Sequence, residues 1–216
     1  MSGIIIFADK TIAMKKLPDS FYDRSDVVAI AKELIGKIVC TNLHGEITSG
    51  RIVETEAYVA LVDKASHSFA GRRTLKNEHM YEEAGKTYVY ICYGMHQMLN
   101  VVTNKKNIPD AILVRAIDPI DGIETMLRRT GKLKPDATLT KGPGNVGKAL
   151  GISKIHSALP LSGDEIYIYS DDTFLVTDAD IGVSKRIGIE SAGADGLLPY
   201  RFYLRGNKFV SGRPVR

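Results

Sequence analysis

The 216-residue chain is poor in cysteine and contains no tryptophan. Its two cysteines, Cys40 and Cys92, are far apart, and neither belongs to a CxxC or CxxH motif. This number and spacing exclude a disulfide framework and do not indicate a zinc site. We therefore expect no metal and no cofactor, and a reducing cytoplasmic location is the matching expectation.

Long apolar segments are also missing. The apolar run at residues 3–8 is much shorter than the roughly 20 residues that a membrane-spanning helix needs. It lacks the basic start and the small-residue cleavage site of a secretory signal. The sequence thus predicts neither membrane insertion nor export, and it leaves the role of the N-terminal extension, residues 1–20, open.

The formal net charge is only +4, but charges of one sign are missing from several segments. Residues 128–154 contain one acid, Asp136, and residues 201–216 contain none, whereas residues 164–180 contain acids and no lysine or arginine. The basic residues of the first two segments are Arg128, Arg129, Lys132, Lys134, Lys141, Lys148, Lys154, Arg201, Arg205, Lys208, Arg213 and Arg216. Such a chain can present a basic face to a polyanion, although solvated surface charge explains the pattern equally well.

With 44% hydrophobic and 25% charged residues, the composition is that of a globular domain with a core, and one domain over residues 1–216 is expected. Strands are predicted at 37–41, 46–59, 87–93, 97–103, 111–117, 165–169, 174–177, 183–189 and 200–205. Helices are predicted after an N-cap at Ser25, at 121–129 and at 143–150, and Pro119 is expected to end the strand before it. Because hairpins outnumber strand–helix–strand crossovers, the fold class is α+β, with a curved, mostly antiparallel sheet.

The densest group of polar residues lies in the strand at 46–59. Alternation on a strand puts Glu54, Glu56 and Tyr58 on one face. Two carboxylates beside a ring are suited to activating water next to an aromatic substrate. Taken alone, however, the pattern is more typical of the solvent-facing side of a half-covered strand.

A second group surrounds the predicted hairpin at 87–103, whose tip would project Tyr93, Met95 and His96. Tyr88 and Tyr90 share one strand face and Tyr93 lies on the other. Tyrosine is common in strands, so packing explains each one singly. Three of them beside a projecting tip are typical of a wedge that enters a base stack while another ring stacks on an extruded base.

Residues 142–149, GPGNVGKA, nearly match a phosphate-binding P-loop. Ala149 removes the hydroxyl that would bind magnesium, and residues 136–140 make a poor preceding strand, so an NTPase is not expected. The backbone amides at this helix start and the basic residue Lys148 remain candidate phosphate contacts.

Nearly the whole chain, from about Leu34 to Val210, resembles the alkyladenine DNA glycosylase family in the order and spacing of its motifs. The matching segments are Val53-Glu54-Thr55-Glu56-Ala57-Tyr58, Ala65-Ser66-His67-Ser68, Gly71-Arg72, Tyr88-Val89-Tyr90, Tyr93-Gly94-Met95, Asn100, Val114-Arg115-Ala116, Gly142-Pro143-Gly144, Lys148-Ala149-Leu150 and Arg201-Phe202-Tyr203-Leu204-Arg205-Gly206. One departure is Asn145, where the family usually has lysine.

The resemblance implies a monofunctional enzyme that flips a damaged purine from duplex DNA and hydrolyses its N-glycosidic bond. Glu56 matches the general base, and Arg115 matches the arginine that helps to hold the attacking water. The residues implied to bind the flipped base are Tyr58, His67, Tyr90 and Asn100. The implied or candidate DNA contacts are Tyr93, Met95, Arg72 and Lys148, with Arg73 a further possible phosphate contact. The expected partner is duplex DNA carrying damaged purines, bound by a monomer without an obligate protein partner.

Two other functions are compatible with the residues. A sugar glycosidase would use Glu54 and Glu56 as a carboxylate pair, and a lesion-binding module would use the same surface without catalysis.

Overall fold

The computed structural model describes residues 15–212. Most of the N-terminal extension, together with Arg213 and Arg216 of the basic C-terminal segment, lies outside the described residues. The described part has four α-helices, α1 (Asp19–Tyr22), α2 (Val27–Glu33), α3 (Ile123–Thr130) and α4 (Pro143–Ala149), and six short 3-10 helices. Across residues 15–212, none of the helices is both long and apolar enough to cross a membrane.

A single nine-stranded sheet runs through the described residues. Its strands are β1 (Lys15–Lys16), β2 (Ile38–Leu43), β3 (Glu46–Tyr58), β4 (Thr87–Cys92), β5 (His96–Thr103), β6 (Asp110–Asp121), β7 (Ile166–Ser170), β8 (Ile181–Ser184) and β9 (Arg201–Leu204). The order is β1-β7-β2-β3-β6-β5-β4, and β8 joins through β9, which pairs with β3. All the recorded strand pairs are antiparallel. The α+β class and the mostly antiparallel sheet are confirmed.

Strand β3 organises the site because it pairs with three other strands. Its first half pairs with β2, its residues Glu54–Glu56 pair with β9, and β6 runs along its other edge. The β3–β6 register shifts on both sides of Glu54, as at a β-bulge. Thr55 donates its hydroxyl to the carbonyl of Ala31 in α2, so Thr55 faces the helices while its neighbours Glu54 and Glu56 point to the opposite side.

The main apolar core lies between that helix-facing side of the sheet and α2, α3 and α4. Ile30 and Leu34, at and just after α2, Ile112 and Val114 of β6 and Leu150 after α4 are all fully buried there. Alternation along β6 sends Arg115 to the other side, where Glu54 and Glu56 lie. The same packing that forms the core therefore places the polar side chains of β3 and β6 together.

The helix start predicted at Ser25 is wrong by one residue. Asp26 is the N-cap, and its carboxylate accepts a hydrogen bond of 2.9 Å from the backbone N–H of Ala29. A side-chain oxygen at the N-cap satisfies one of the amides that a helix leaves free, and aspartate does this as well as serine.

The predicted end of a strand at Pro119 is also wrong, since β6 continues to Asp121. Pro119 lies opposite Gly50 beside a register shift, and β5 pairs with β6 only over Asp110–Leu113. Proline is tolerated there because that part of β6 has a neighbouring strand on one side only and the shift accommodates the missing N–H.

Two strand predictions near the C-terminus fail for local reasons. Residues 174–177 form no strand, because Asp171 accepts hydrogen bonds from both the backbone and the hydroxyl of Thr173 and closes a turn. The strand predicted at 183–189 ends at Ser184. Beyond it, Arg186 is drawn into a buried ion pair and Ile187 bonds to Glu56 instead of to a strand.

Candidate active site

Glu54 and Glu56 are both fully buried, so this face of β3 is not the solvent-facing side of which the pattern alone is typical. Arg115 bridges the two carboxylates, with its Nε 2.9 Å from Oε1 of Glu54 and its Nη1 3.3 Å from Oε1 of Glu56. Two buried charges of one sign need such a partner, because an unpaired ion in the interior is strongly unfavourable.

Both carboxylate oxygens of Glu54 accept hydrogen bonds from neighbouring residues. Its Oε1 accepts hydrogen bonds from Arg115, from Nε of Arg201 at 2.7 Å and from the Ser211 hydroxyl at 2.7 Å. Its Oε2 accepts the backbone N–H of Ser211 at 2.6 Å. The oxygens of Glu54 are occupied by four donors from the protein, so this geometry does not fit a pair of catalytic carboxylates.

Glu56 has a different environment. Its Oε1 accepts the backbone N–H of Ile187 at 2.8 Å, and its Oε2 accepts the hydroxyl of Tyr58 at 2.8 Å. Burial raises the pKa of Glu56 above its ordinary value, against the lowering effects of Arg115, the Ile187 N–H and the Tyr58 hydroxyl. Arg115 favours the ionised form of Glu56, but burial outweighs it. A carboxylate with a raised pKa is a stronger base than an exposed one.

A cavity of about 200 Å³, here called the inner pocket, lies beside Tyr58 and is also lined by His67, Tyr90, Asn100 and Gly188. The structure therefore brings together the four side chains predicted to bind a base. An engineered cavity of about 150 Å³ holds a benzene molecule, so the inner pocket has the size for a flat heterocycle.

His67 and its neighbours give the inner pocket aromatic walls with few charges. The His67 and Tyr90 rings meet edge to face with centroids 4.6 Å apart, and His67 Nδ1 lies 2.9 Å from the hydroxyl of Tyr88. Burial, assisted by the charge of Arg72, lowers the pKa of His67, so its imidazole is neutral at neutral pH. Nε2 is then the ring nitrogen that remains for a ligand.

Asn100 presents a defined atom to the inner pocket. Its amide nitrogen donates to the backbone carbonyls of Tyr88 and Met98, each at 3.1 Å. Because the reverse orientation would point the side-chain oxygen at two carbonyls, the oxygen is the atom that remains for a ligand.

The inner pocket adjoins a larger cavity of about 620 Å³, here called the outer cleft. The outer cleft shares His67, Tyr88, Tyr90 and Cys92 with the inner pocket and is otherwise lined by residues that include Arg72, Lys76, Tyr93 and Lys154. Arg72, Lys76 and Lys154 therefore make the outer cleft positively charged beside the inner pocket.

The hairpin tip is exposed at the edge of the outer cleft. Tyr93 is 88% exposed and Met95 71% exposed. Tyr93 and Gly94 both have positive φ, at 51° and 73°, and the Met95 N–H closes the turn on the carbonyl of Cys92. A bulky residue with positive φ is strained, and strain of this kind is concentrated at functional sites.

The structure does not bring every candidate DNA contact to this region. Lys148 lies on α4, where its Nζ is 3.3 Å from the carbonyl of Thr130, and it lines neither the inner pocket nor the outer cleft. Arg73 is held by Glu78 and Asn107. Asn145 donates to the carbonyl of Lys141 instead of standing free. Arg72 is the exposed arginine on the wall of the outer cleft.

A separate cavity of about 340 Å³ lies beside α2 and includes Asp171, Asp172 and Asp178. None of the predicted site residues lines it.

A comparison with known protein families shows to which family the chain belongs. The family model described as Methylpurine-DNA glycosylase (MPG) matches residues 20–208. The chain belongs to the methylpurine-DNA glycosylase family. The resemblance to alkyladenine DNA glycosylases is thereby confirmed, and the chain is a DNA glycosylase of base excision repair, a hydrolase acting on N-glycosyl bonds.

Bacterial relatives in the methylpurine-DNA glycosylase family are similar over almost their full length. One from Clostridium perfringens (strain 13 / Type A) is 40% identical over 204 residues, which are 91% of this chain and 98% of the relative. One from Clostridium acetobutylicum is 42% identical over 205 residues, 91% of this chain and 97% of the relative. One from Chlamydia abortus is 44% identical over 189 residues, 87% of this chain and 97% of the relative. Each bears the name "Putative 3-methyladenine DNA glycosylase".

Sequence reasoning missed several groups around the site of this methylpurine-DNA glycosylase. The Ile187 amide is a backbone group, so no side-chain pattern indicates it. The pair of Asp63 and Arg186 joins residues far apart in sequence. Arg201 belongs to a basic segment and to a motif that matches the family, but neither pattern indicates a role at the site, although its Nε lies 2.7 Å from Glu54 in the interior.

Proposed function

We propose that this DNA glycosylase flips a damaged purine from duplex DNA into the inner pocket and hydrolyses its N-glycosidic bond with water activated by Glu56. The observation that carries the proposal is that a buried carboxylate of raised pKa is joined by a hydrogen bond to Tyr58, a wall of the inner pocket. The base would lie against the aromatic walls and the sugar would lie toward Glu56.

In the proposed reaction the bond between C1′ and the purine nitrogen breaks, and its electron pair leaves with the base. The sugar passes through a state with oxocarbenium character, which the anionic Glu56 stabilises. Water attacks C1′, and Glu56 takes a proton from it. The products are the free base and an abasic site in an intact strand. Lysine is not among the residues of the described part that line the inner pocket, which supports hydrolysis without a Schiff base and without strand cleavage.

The proposed substrates are 3-methyladenine, 7-methylguanine, hypoxanthine and ethenoadenine. Aromatic walls attract a cationic alkylated purine, which also leaves readily because it already carries positive charge. A neutral base needs a proton from a donor, and its release is therefore expected to be slower.

Duplex binding is assigned to the hairpin tip and the cations near it. We propose that Tyr93 enters the gap left by the flipped base and that Met95 supports it in the minor groove. Arg72 on the outer cleft would contact a phosphate, and Lys148 would make a more distant one. The enzyme is proposed to act as a cytoplasmic monomer without an obligate protein partner, which sedimentation at assay concentrations would test.

The experiment that tests the proposal is single-turnover release of base from duplexes that carry one hypoxanthine or one ethenoadenine and from methylated DNA. Free base together with an uncleaved abasic strand is the expected product. Binding of these duplexes without release of any base would instead identify a lesion-binding module.

The rate of base release should fall at acid pH, with a midpoint above the ordinary pKa of glutamate, because burial raises the pKa of Glu56. Glu56 is active as the anion, so the rate rises with pH through the pKa of Glu56. Tyr58→Phe removes a hydrogen bond that lowers this pKa, and it should move the midpoint to higher pH. Tyr88→Phe is the matched control, because the Tyr88 hydroxyl contacts His67 in the same pocket and not Glu56. Equal midpoints in wild type and Tyr58→Phe would contradict the assignment.

Tyr93→Ala should reduce the affinity for a lesion-bearing duplex by about 5- to 150-fold, because stacking of one aromatic side chain on a base contributes about 1–3 kcal/mol. Thermal stability should not fall, since the exposed ring is strained and packs little. Leu175→Ala is the control, because Leu175 is also exposed, at 84%, but lines the cavity beside α2. Unchanged affinity in Tyr93→Ala would exclude an intercalating role for Tyr93.

A further inference from the structure

Asp63 and Arg186 form a buried ion pair beside the inner pocket. Each residue is only 2% exposed. Nη2 of Arg186 donates to Oδ1 of Asp63 at 2.9 Å, and Nη1 donates to Oδ2. Neither residue touches Glu56 by a hydrogen bond, and the proposed reaction gives neither of them a task. Because a buried ion pair is often no more stabilising than an apolar pair of the same size, its presence here points to a task other than stability.

The guanidinium of Arg186 connects three segments of the chain. Nη1 also donates to the carbonyl of Ala57 in β3 at 2.8 Å, and Nη2 donates to the carbonyl of Asp195 at 3.0 Å. The group also lies over the ring of Tyr58, 4.7 Å from its centroid. A planar, rigid fork can hold several acceptors at once, which the single ammonium of lysine cannot do.

The segment after Arg186 supplies the site with its backbone donor. Strand β8 ends at Ser184, so the pairing of strands does not hold this segment. Ile187 nevertheless places its N–H 2.8 Å from Oε1 of Glu56, and Gly188 and Ile189 line the inner pocket. The residue next to Ile187 is Arg186, whose four hydrogen bonds fix the backbone at this point.

We infer that Asp63 and Arg186 act as a positioning pair that fixes the Ile187 amide on the Glu56 carboxylate and the Tyr58 ring on the wall of the inner pocket. The inference rests on the proposed function of Glu56. It makes Asp63 and Arg186 positioning residues, since neither would touch the reacting atoms.

The pH midpoint at which the rate of base release falls on the acid side reports on the position of the Ile187 amide, and it is here called the acidic midpoint. The charged and titratable groups that face Glu56 come from three strands and one loop: Glu54 and Tyr58 of β3, Tyr90 of β4, Arg115 of β6 and Arg186. The Ile187 N–H lowers the pKa of Glu56. If the amide moves away, the pKa of Glu56 rises and the acidic midpoint rises with it.

Asp63→Asn distinguishes displacement of the Ile187 amide from loss of a negative charge, because these two effects shift the pKa of Glu56 in opposite directions. Loss of a nearby anion would by itself lower the pKa of Glu56 or leave it unchanged. Loss of the paired hydrogen bonds between Asp63 and the Arg186 guanidinium would release the Ile187 amide from Glu56, and the pKa of Glu56 would rise. We expect the midpoint to rise by about 0.4–1 pH unit, the effect of losing one ordinary hydrogen bond.

Arg186→Lys is the second variant, because it keeps the charge and loses the fork. It should raise the midpoint in the same direction as Asp63→Asn. The matched control is Asp171→Asn, which disrupts the partly buried pair of Arg51 and Asp171 beside the other cavity. That control should leave the midpoint unchanged.

The measurement is the single-turnover rate of base release from pH 4 to pH 8, with folding checked by circular dichroism at each pH. A midpoint that is unchanged or lower in folded Asp63→Asn and Arg186→Lys would overturn the inference. Failure of both variants to fold would also overturn it, because the pair would then be a requirement of the fold. Failure of wild type to release base, or full activity of Glu56→Gln, would instead overturn the proposed function itself.

Discussion

Glu56→Gln is expected to slow single-turnover base release by about 10²–10⁴-fold, the usual contribution of a positioned general base. Glutamine has nearly the same shape as glutamate but accepts no proton from water and carries no charge to stabilise the sugar cation. Affinity for the lesion-bearing duplex should persist, since Glu56 is buried behind Tyr58 and is not among the residues that line the inner pocket or the outer cleft.

Glu56→Gln is also expected to change how the stability of the fold depends on pH. Because burial raises the pKa of Glu56, the folded state binds the proton more tightly than the unfolded chain does. The ionised carboxylate therefore lowers the free energy of unfolding as the pH rises through this pKa. Glu56→Gln should be at least as stable as wild type at pH 8, and the difference should shrink toward pH 4 in chemical denaturation.

Glu33→Gln is the matched control for both measurements. Glu33 is paired with Arg24 at the surface, with 45% of its side chain exposed, and it should affect neither rate nor stability appreciably. Wild-type rates in Glu56→Gln would remove Glu56 from the mechanism and would direct attention to another base.

Arg115→Met is expected to lower the free energy of unfolding at neutral pH by about 3–5 kcal/mol, the usual effect of removing one partner from a buried ionic group. Arg115 neutralises Glu54 and Glu56 together, and its side chain is only 8% exposed. Methionine has a similar length but leaves the carboxylates with less positive charge. Base release should also be lost, because the pKa of Glu56 rises further without Arg115 and less of it is ionised.

The stability loss in Arg115→Met should depend on pH in a defined direction. Once Glu56 is protonated it no longer needs a counter-charge, so the difference from wild type should become smaller as the pH falls. Arg24→Met removes a partly exposed arginine and should lower the free energy of unfolding by about 0–1 kcal/mol. A loss in Arg115→Met as small as that of this control would show that Arg115 is not the counter-ion of the buried pair.

Local chemistry made most of the fold predictable. The turn at His44 and Gly45, between the strands predicted at 37–41 and 46–59, joins β2 and β3, and both residues have positive φ. The tyrosine-rich hairpin was placed correctly because alternation and the turn at Gly94 agree with each other. The effect of Pro119 could not be predicted, because it depends on whether the strand has one neighbouring strand or two, which one sequence does not reveal.

The candidate site was predictable as a set of side chains and not as an arrangement. Alternation placed Glu54, Glu56 and Tyr58 together, but it could not show that Glu54 is held by four donors while Glu56 is joined to the inner pocket. That difference comes from Ser211 and Arg201, more than a hundred residues away in sequence. Backbone donors such as the Ile187 N–H cannot be predicted from the identity of the side chains.

The most direct test of the account is a crystal structure of Glu56→Gln bound to a duplex that carries one hypoxanthine. The expected result is a hypoxanthine rotated out of the helix into the inner pocket, in contact with Tyr58, His67 and Tyr90, with its C1′ toward residue 56 and Tyr93 in the vacated stack. A base that remains stacked in the duplex, or that binds outside the inner pocket, would contradict it.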